Sequence, residues 1–508
     1  MKSKTILPSI MLAAMATTAQ AGGILTNTNQ SIDFLRNPSR DAAIALDGVY
    51  SNPAGVAFMP EGFHLALNWQ YAHQTRTVRS TNPLFMTGLK NEGKDTKTFE
   101  GIADAPFIPS VQAAYNRGNW SYQFNFSLPG GGGVCEFDKG LGSFEGAVGM
   151  IGQLLGAKGY DVNGYMRGRQ YYFGFQLGAA YKINQHWSVY GGLRALYGNA
   201  SYKARLSNIQ VLQGNADGTT TVTNFDTYLN DKVYDLRKSL EPLQAAAKMG
   251  AALSAEQQAL LARGEASLEL LNRLQHYSNG VNLMSNQEGF GLAPIIGVDY
   301  KVGNFNFAAK YEFNTQMKMK NRSTLEHPLQ LPSSMGNVPA INNINKFADD
   351  TDVDEDIPAM LAVGAQWSAL SNLRLNLGYH HYYDKNAKWF DNSQDKLSHG
   401  SDEYLGGVEW DVSDRVTISA GGQITRYGLT DEYMNDLSFV VNSYSTGFGV
   451  KYRVSDVVSL SAAYFQTNYT DYDKVTTNTN PLNGSSYETR DNFTRTNRVI
   501  GLGCQIDF

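Results

Sequence analysis

Apolar and polar residues alternate along most of this 508-residue chain, in short stretches separated by turn-forming residues. The alternation is clearest in 62–71, 120–128 and 171–181. Because successive side chains of a strand point to opposite faces, a period of two predicts strands with one apolar face. Further stretches show a similar or weaker pattern: 107–115, 187–199, 289–300, 305–315, 357–367, 373–383, 403–410, 416–427, 444–452, 458–469 and 494–508. The pattern therefore predicts fourteen strands.

The connections between these strands alternate in length. Six of them are short, namely 116–119, 182–186, 301–304, 368–372, 411–415 and 453–457. The other connections are long. Short turns on one side and long loops on the other are typical of an outer-membrane β-barrel, so we predict an all-β, 14-stranded antiparallel transmembrane barrel. The even number of strands places both chain ends on the short-turn, periplasmic side. Trp120, Trp187, Trp367 and Trp410 lie beside short turns, as an interfacial aromatic girdle would.

The two ends of the chain carry targeting signals. Lys2 and Lys4 precede the apolar run 6–16 and an A-x-A site at 19–21, which predicts a secretory signal peptide at 1–21. At the other end, Phe508 closes an alternating stretch. A terminal aromatic residue on such a strand resembles the signal that the outer-membrane barrel assembly machinery recognises, so this machinery and outer-membrane lipid are expected partners.

Composition narrows the class of protein. After the signal no apolar run reaches about 18 residues, which excludes a helical membrane protein. Aromatic residues make up 12% of the chain and there are 50 glycines, a composition suited to strands and turns. The net charge of -5 argues against a nucleic-acid partner. The two cysteines, Cys135 and Cys504, fall at opposite ends of the predicted barrel, so we expect both to be free.

An apolar segment without helical character precedes the first strand. It spans 42–55 and ends in Asn52, Pro53, Ala54 and Gly55, a turn by its chemistry. Because such a segment buries little on its own, we predict that 22–60 forms a hatch, or plug, inside a barrel formed by 61–508. An ordinary N-terminal loop is the alternative.

Two of the long loops have helical patterns. One is 144–158, and the other is an insertion at 226–278, expected on the extracellular side. In the insertion Pro242 is predicted to begin a second segment, and the capping box 254–257 a third. The third carries an apolar stripe: Leu260, Leu261, Leu268, Leu271 and Leu274. This stripe either packs on a neighbouring helix or forms a landing surface for an apolar ligand, and the sequence leaves both open.

No motif for a zinc, redox, hydrolase or P-loop site occurs, so we predict no enzyme activity, no cofactor and no metal. A catalytic Ser, His and Asp drawn from separate strands is the open alternative. The acidic run Asp350, Asp352, Asp354 and Asp356 is either a solvated loop or a calcium site. His380 and His381 point to opposite faces of one strand, which disfavours a shared metal.

Placing the aromatic faces in lipid directs a set of charges into the barrel: Arg194, Asp299, Lys310, Glu312, Arg374 and Glu409. Most should pair with one another, since buried charges need partners. Arg194 is nevertheless our candidate for a ligand carboxylate, with Tyr190 and Leu196 as apolar walls on the same face. Leu268 and Leu271 of the outer helix complete the predicted ligand-binding set.

Taken together, these residues resemble the FadL/TodX-type outer-membrane transporters of long-chain fatty acids and other hydrophobic compounds. The resemblance rests on the turn at 52–55, the fourteen strands, the helical loop between the fifth and sixth strands, the stretch 357–359 opening the eighth strand, and Phe508. It implies that an apolar ligand lands on outer loops, enters the barrel and leaves sideways at a kink in the third strand. The matching residues for this lateral opening are Pro129, Gly130, Gly131 and Gly132.

Three functions follow as hypotheses. The first is passive transport of hydrophobic small molecules, with a fatty-acid-like ligand. The second is an outer-membrane receptor or scaffold that binds a protein partner through its helical loop. The third, a general diffusion porin, is disfavoured by the hatch and by the sparse lumenal charges.

Overall fold

The strands of the protein form one antiparallel sheet that closes on itself. The structure is a computed structural model that describes residues 24–275, 278–325, 346–480 and 484–508. The predicted signal peptide, 1–21, lies outside the described residues. The sheet has eighteen strand segments: β1 (Gly62–Thr81), β2 (Thr96–Arg117), β3 (Trp120–Phe137), β4 (Gly159–Lys182), β5 (Trp187–Gly214), β6 (Thr220–Asn224), β7 (Val281–Val302), β8 (Phe305–Glu312), β9 (Lys318–Ser323), β10 (Asp352–Asp354), β11 (Met360–Leu370), β12 (Leu373–Tyr382), β13 (Ser401–Ser413), β14 (Val416–Arg426), β15 (Ser443–Arg453), β16 (Val458–Tyr469), β17 (Tyr472–Thr479) and β18 (Ser486–Asp507).

These eighteen segments form the fourteen strands of the barrel, because some segments continue one another. β8 and β9 both pair with β7, β10 and β11 continue one another opposite them, and β16 and β17 both pair with β18. β6 pairs with the outer end of β5. The ring closes where β1 pairs with β18. The predicted 14-stranded antiparallel barrel is therefore confirmed, as are all six short turns.

Several strands extend well beyond their predicted ends. β5, predicted at 187–199, continues to Gly214. In its first half Leu193 and Tyr197 face outward and Arg194 inward, whereas further on Tyr202 and Leu206 are buried and face inward. The apolar face thus changes sides where the strand leaves the membrane for water. When the apolar residues move to the other face, the period-two alternation is interrupted. The sequence pattern therefore indicates the end of a strand at that point, although the strand continues.

The outer surface carries a belt of exposed apolar side chains. Trp120, Trp187, Trp367 and Trp410 are all exposed beside the short turns, as predicted for an aromatic girdle. A bilayer covers such a belt in barrels of this type, so the wall is that of an outer-membrane protein. Among the described residues no helix is long and apolar enough to span a membrane. Both cysteines are free, as predicted.

The N-terminal segment, residues 24–60, runs through the inside of the ring. It contains α1 (Ile32–Arg36) and two 3-10 helices, Leu46–Val49 and Gly55–Phe58. The wall approaches it so closely that a Cβ on Gly447 would lie 2.1 Å from the Leu35 carbonyl oxygen. Other glycines meet the segment in the same way: Gly364, Gly378, Gly407, Gly421, Gly449 and Gly501. These glycines therefore make room for the segment rather than forming turns.

Three longer helices lie in the loops: α2 (Gly142–Leu154), α3 (Phe225–Lys248) and α4 (Ala255–Gln275). The prediction that Pro242 begins a new segment is wrong, because α3 continues through it. Pro242 is exposed, so water can satisfy the carbonyl that loses its helical donor. The predicted capping box is confirmed, since Ser254 Oγ accepts from Gln257 N at 3.1 Å and Ser254 N donates to Gln257 Oε1 at 2.9 Å.

The leucine stripe of α4 packs mainly on other residues of the protein. Leu271 is buried, and Leu268 and Leu274 are half-buried against the same apolar cluster, to which Phe225, Tyr228, Leu229 and Val233 of α3 belong. Leu260 at the start of the stripe is exposed. Helix packing thus accounts for the larger part of the pattern.

Candidate functional site

The barrel wall is interrupted between β2 and β3. From the short turn outward the two strands pair up to Val111 and Phe126, and pairing resumes only at Asp104 and Val134. Between these points the β2–β3 ladder is missing. β3 is also irregular against β4 here, with register shifts between Ser127 and Gly133. The break falls where the resemblance implied a kink in the third strand.

Prolines lie on both sides of this gap. Pro129 stands on β3, and Pro106 and Pro109 stand on β2. Proline has no backbone N–H, so each removes a donor that a continuous ladder would use. Sequence reasoning found Pro129 but missed the two on β2. The signal was present, because proline inside a strand pattern marks an edge or a bulge.

The N-terminal segment covers the gap from inside. Asn27 donates its backbone N–H to the Pro129 carbonyl at 2.8 Å and its Nδ2 to the Gly131 carbonyl at 2.8 Å. The Gln30 side chain accepts from Leu128 N at 3.0 Å and donates to Leu128 O at 3.1 Å. These bonds satisfy backbone groups of β3 that lack β2 as a partner. The segment thus replaces the missing strand neighbour.

Little space remains between the segment and the wall. A cavity of about 40 Å³ lies beside the gap. Its lining includes Ala72, Ala105, Ile108, Leu128, Tyr171 and Val499, together with the side chains of Asn27 and Gln30. By comparison, an engineered apolar cavity that binds benzene measures roughly 150 Å³. Passage of even a small apolar molecule through the gap therefore requires movement of the segment.

The turn at Asn52, Pro53, Ala54 and Gly55 is bound to three strands of the wall. Asn52 donates its Nδ2 to Asp299 Oδ2 at 2.6 Å. The Pro53 carbonyl accepts from Gln123 Nε2 at 2.7 Å, and the Ala54 carbonyl accepts from Ser188 Oγ at 2.7 Å. A Cβ on Gly55 would lie 2.3 Å from Asn52 Nδ2, so the turn also closes on itself. The predicted turn is a fixed end of the segment on the short-turn side.

Between the gap and this turn, the segment is held by buried ion pairs. Glu409 of β13 contacts Arg36 at 2.8 Å and Arg40 at 3.0 Å. Arg36 also pairs with Asp33 at 2.6 Å, and Arg40 with Asp47 at 2.8 Å. All five side chains except Asp33 are less than a tenth exposed. Breaking one such pair leaves an uncompensated buried charge, so this network fixes the segment strongly.

Arg194 lies inside the barrel, but it already has a carboxylate partner. It contacts Glu312 at 2.5 Å, which Lys310 also contacts at 2.8 Å, and its guanidinium lies 4.9 Å from the ring centre of Tyr50. The remaining inward charges are paired or hydrogen-bonded as well, as predicted. A ligand carboxylate at Arg194 would therefore compete with Glu312.

The other predicted ligand residues are only partly brought together. Leu196, Leu268 and Leu271 belong to or pack on one apolar cluster that runs from the wall to the outer helices. Tyr190 lies in a separate cluster with Ala54. The sequence-predicted set thus spans two sites rather than one.

Among the residues that the structure describes, cavities open between the outer loops. One of about 240 Å³ is lined by Ile24, Leu25, Trp389 and Tyr433, and another, of about 550 Å³, lies between α2 and the outer ends of β1, β17 and β18. Asp436 lines the larger one and accepts from Ser143 N at 2.8 Å. Burial, with the nearby Asp491 charge, raises the pKa of Asp436 to about 6.

In the part of the chain that the structure describes, no three His, Cys, Asp or Glu side chains could hold one metal ion. Two members of the acidic run pair with separate lysines, Asp350 with Lys320 and Asp354 with Lys388. His380 faces the lumen and contacts Asp41, whereas the neighbouring histidine contacts a carboxylate on the outer face. The prediction that the two histidines point apart is confirmed.

Comparison with known proteins identifies the fold. No family model and no curated protein matches the chain. Among solved structures, a Pseudomonas aeruginosa FadL homologue is 13% identical, with a TM-score of 0.59 over 96% of this chain and 100% of its own. The P. putida toluene transporter TodX is 11% identical, with a TM-score of 0.50 over 99% of each chain. A TodX variant described as a monoaromatic hydrocarbon channel is 12% identical, with a TM-score of 0.52 over 94% of this chain and 99% of its own. The resemblance inferred from the sequence is confirmed, and the chain has the fold of the FadL/TodX-type outer-membrane transporters.

Proposed function

We propose that this protein is a passive outer-membrane transporter of hydrophobic small molecules. The observation that carries the proposal is the gap between β2 and β3, covered only from inside by residues that lie on a segment of their own. In this mechanism residues 22–60 act as a hatch inside the barrel of 61–508. Displacement of 24–30 opens a sideways exit into the bilayer.

The physical basis needs no energy source. The hydrated sugar layer outside an outer membrane holds back an apolar solute, whereas the acyl core dissolves it. Burial of about 0.8 kcal/mol per CH₂ group draws the solute from the outer loops into the barrel and on into lipid. A non-enzymatic, cofactor-free protein suffices for this task.

For the substrate class we propose long-chain fatty-acid-like molecules. The support is Arg194, a buried cation beside the apolar Leu196, which would bind a carboxylate by exchange with Glu312. Arg194→Ala is expected to weaken binding of a long-chain fatty acid while leaving its uncharged methyl ester unaffected. Equal loss for both compounds, or for neither, would contradict the assignment.

The transport mechanism is tested by closing the gap. The variant Pro106→Thr, Pro109→Val, Pro129→Val restores three backbone donors, so we expect slower uptake of fatty acid and toluene into proteoliposomes. Pro294→Val is the matched control, because Pro294 lies in β7 within an unbroken ladder to β5. Mass spectrometry of apolar material extracted from the purified protein would identify the ligand class. Unchanged uptake in the triple variant, with normal folding, would argue against lateral exit.

A receptor or scaffold role has one observation in its favour. The helical pair α3 and α4 exposes Tyr234, Met249 and Leu260. Alanine at these three positions leaves the packed leucines intact, so it tests the role without disturbing the fold. Loss of a protein partner with uptake retained would favour the scaffold.

A further inference from the structure

A group of basic side chains lies on the outward faces of β4 and β5. The group consists of Arg167, Arg169, Lys203 and Arg205, and we call it the basic patch. In the register of the two strands Arg167 stands opposite Lys203. Arg169 and Arg205 stand two residues to either side on the same face, opposite Ser201 and Tyr165, respectively. Four cations thus share one small area of the outer wall.

The protein provides little counter-charge for this patch. No ion pair engages any of the four side chains within residues 24–275, 278–325, 346–480 and 484–508. Arg205 lies 5.7 Å from the ring centre of Tyr165, and Arg169 donates to Asn199 Oδ1 at 2.7 Å. Like charges directly opposite on neighbouring strands are destabilising. An anion from outside the chain would remove that penalty.

On β3, Glu136 stands opposite Arg167. Its Oε1 accepts from Tyr165 Oη at 2.7 Å. Asp138, two residues beyond Glu136, also lies near Tyr165. Two carboxylates beside four cations leave the patch with a net positive charge. On β12 and β13, by contrast, His381 and Asp402 pair with each other on the outer face. Among the described residues, the outer face is thus charge-paired at that point and carries unpaired cations at the basic patch.

The patch lies just beyond the outer edge of the apolar belt. Phe173, Tyr197 and Phe290 stand side by side on the outer face, with Phe173 and Tyr197 stacked at 6.4 Å. Toward the short turns, exposed Leu193 and Leu292 continue the belt. Lys203 is six residues further out than Tyr197, about 15 Å along the membrane normal for a tilted strand. This is the level of the headgroups of the outer leaflet.

The surface at this level is concave. An open groove of about 410 Å³ is lined by Tyr165, Lys203, Ala204, Arg205, Asn282 and Met284. Its floor combines two cations with apolar and aromatic side chains. Such a groove fits a group that is both anionic and attached to an apolar body.

We propose that the basic patch binds the phosphate groups of the phosphorylated glycolipid of the outer leaflet. Arginine and lysine both suit phosphate, and arginine binds it in a bidentate manner. A lipid is favoured over a soluble anion because the patch directly adjoins the lipid-facing belt. The bound lipid would also lie against β4, one strand away from the gap between β2 and β3, and so would border the proposed exit.

The test compares two variants that each lose three positive charges. The patch variant is Arg167→Gln, Lys203→Gln, Arg205→Gln. The control variant is Arg117→Gln, Lys182→Gln, Arg453→Gln, all next to short turns at the other end of the barrel. Binding of purified diphosphorylated lipid A to the full chain in detergent is measured by native mass spectrometry. We expect about tenfold weaker binding by the patch variant and wild-type binding by the control.

Binding measurements with two other compounds identify the source of the anion. Dephosphorylated lipid A should bind the wild-type protein weakly, and inorganic pyrophosphate alone should not bind measurably. Equal binding by all three proteins, or equal binding of the dephosphorylated lipid, would overturn the proposal. Tight binding of pyrophosphate would overturn the lipid assignment in favour of a free anion. Should the patch variant fail to fold, two further measurements test the proposal. The single change Arg205→Gln should weaken binding of the lipid, and high salt should abolish its binding to the wild-type protein; no change in either would overturn the proposal.

Discussion

Two seams of the barrel wall are built in opposite ways. The closing seam between β1 and β18 is paired without interruption from His64 and Asp507 to Thr81 and Arg490. The seam between β2 and β3 loses its ladder between Asp104 and Val111. The first contains no proline in its paired residues, whereas the second has proline on both strands. The ladder of backbone hydrogen bonds is therefore continuous where both strands keep their N–H donors, and it is interrupted where proline removes them.

The two seams also depend on different parts of the chain. The closing seam is held by its own ladder, so its strength belongs to the wall. The broken seam is covered by Asn27 and Gln30, so its closure depends on the position of the N-terminal segment. That position is fixed in turn by ion pairs on the far side of the barrel, around Glu409.

The largest effect is expected from removing the anchor of the segment. Glu409→Ala leaves Arg36 and Arg40 buried with one carboxylate fewer, which should cost about 3–5 kcal/mol. We expect residues 24–60 to become accessible to protease in the folded barrel, while the closing seam stays protected from amide exchange. Limited proteolysis and hydrogen exchange in detergent measure the two seams separately.

Asp411 supplies the control for this change. It pairs with Arg374 at 2.7 Å, and both side chains are about a quarter to a third exposed. Asp411→Ala should therefore cost no more than about 1 kcal/mol. Similar effects of the two substitutions would show that the N-terminal segment is not held by Glu409.

The outer end of the closing seam should respond to pH. The pKa of Asp436 is raised by burial to about 6, beside Asp491 and Lys474, whereas the ordinary pKa of an aspartate in an unfolded chain is 3.8. The folded state therefore holds the proton more tightly, and stability falls as the pH rises from about 4 to about 6. Asp436→Asn should raise stability at neutral pH by at most about 3 kcal/mol.

That gain should vanish below about pH 4, where the aspartate is protonated in both the folded and the unfolded state. Thermal unfolding of both proteins across this pH range provides the measurement. A constant difference at all pH values would mean that the substitution acts through packing and not through the charge.

A smaller effect is expected from crowding the segment. A Cβ on Gly447 would meet the Leu35 carbonyl at 2.1 Å, which is a backbone contact and must shift. Gly447→Ala should cost about 1–3 kcal/mol. Gly191→Ala is the control, since a Cβ there meets nothing within 4 Å. Urea unfolding in detergent compares them, and equal midpoints would rule out close packing as the reason for glycine at 447.

The smallest effect concerns single hydrogen bonds at each seam. Asn27→Ala removes the bond to the Gly131 carbonyl and should cost about 1 kcal/mol, seen as faster amide exchange in 24–30. Thr75→Val removes an exposed hydrogen bond to the Thr496 hydroxyl on the closing seam. It should change the free energy of opening measured by amide exchange there by less than about 0.5 kcal/mol. Faster exchange at the closing seam than at the gap would reverse the comparison.

The predictions that succeeded depend on local chemistry. The capping box at 254–257, the short turns and the girdle tryptophans follow from residue type and spacing alone. Pro242 failed as a boundary because an exposed helix face tolerates the lost bond. The outer half of β5 was missed because its apolar face changes sides at the membrane surface.

The sequence by itself determined the barrel: the period of two, the alternating loop lengths and the turn chemistry required fourteen antiparallel strands. It also marked the kink at Pro129. Only the tertiary structure decided what closes the gap, which carboxylate Arg194 binds, and which cations share the basic patch. Strand patterns are local, whereas these contacts join residues far apart in the chain, and strand register is what brings them together.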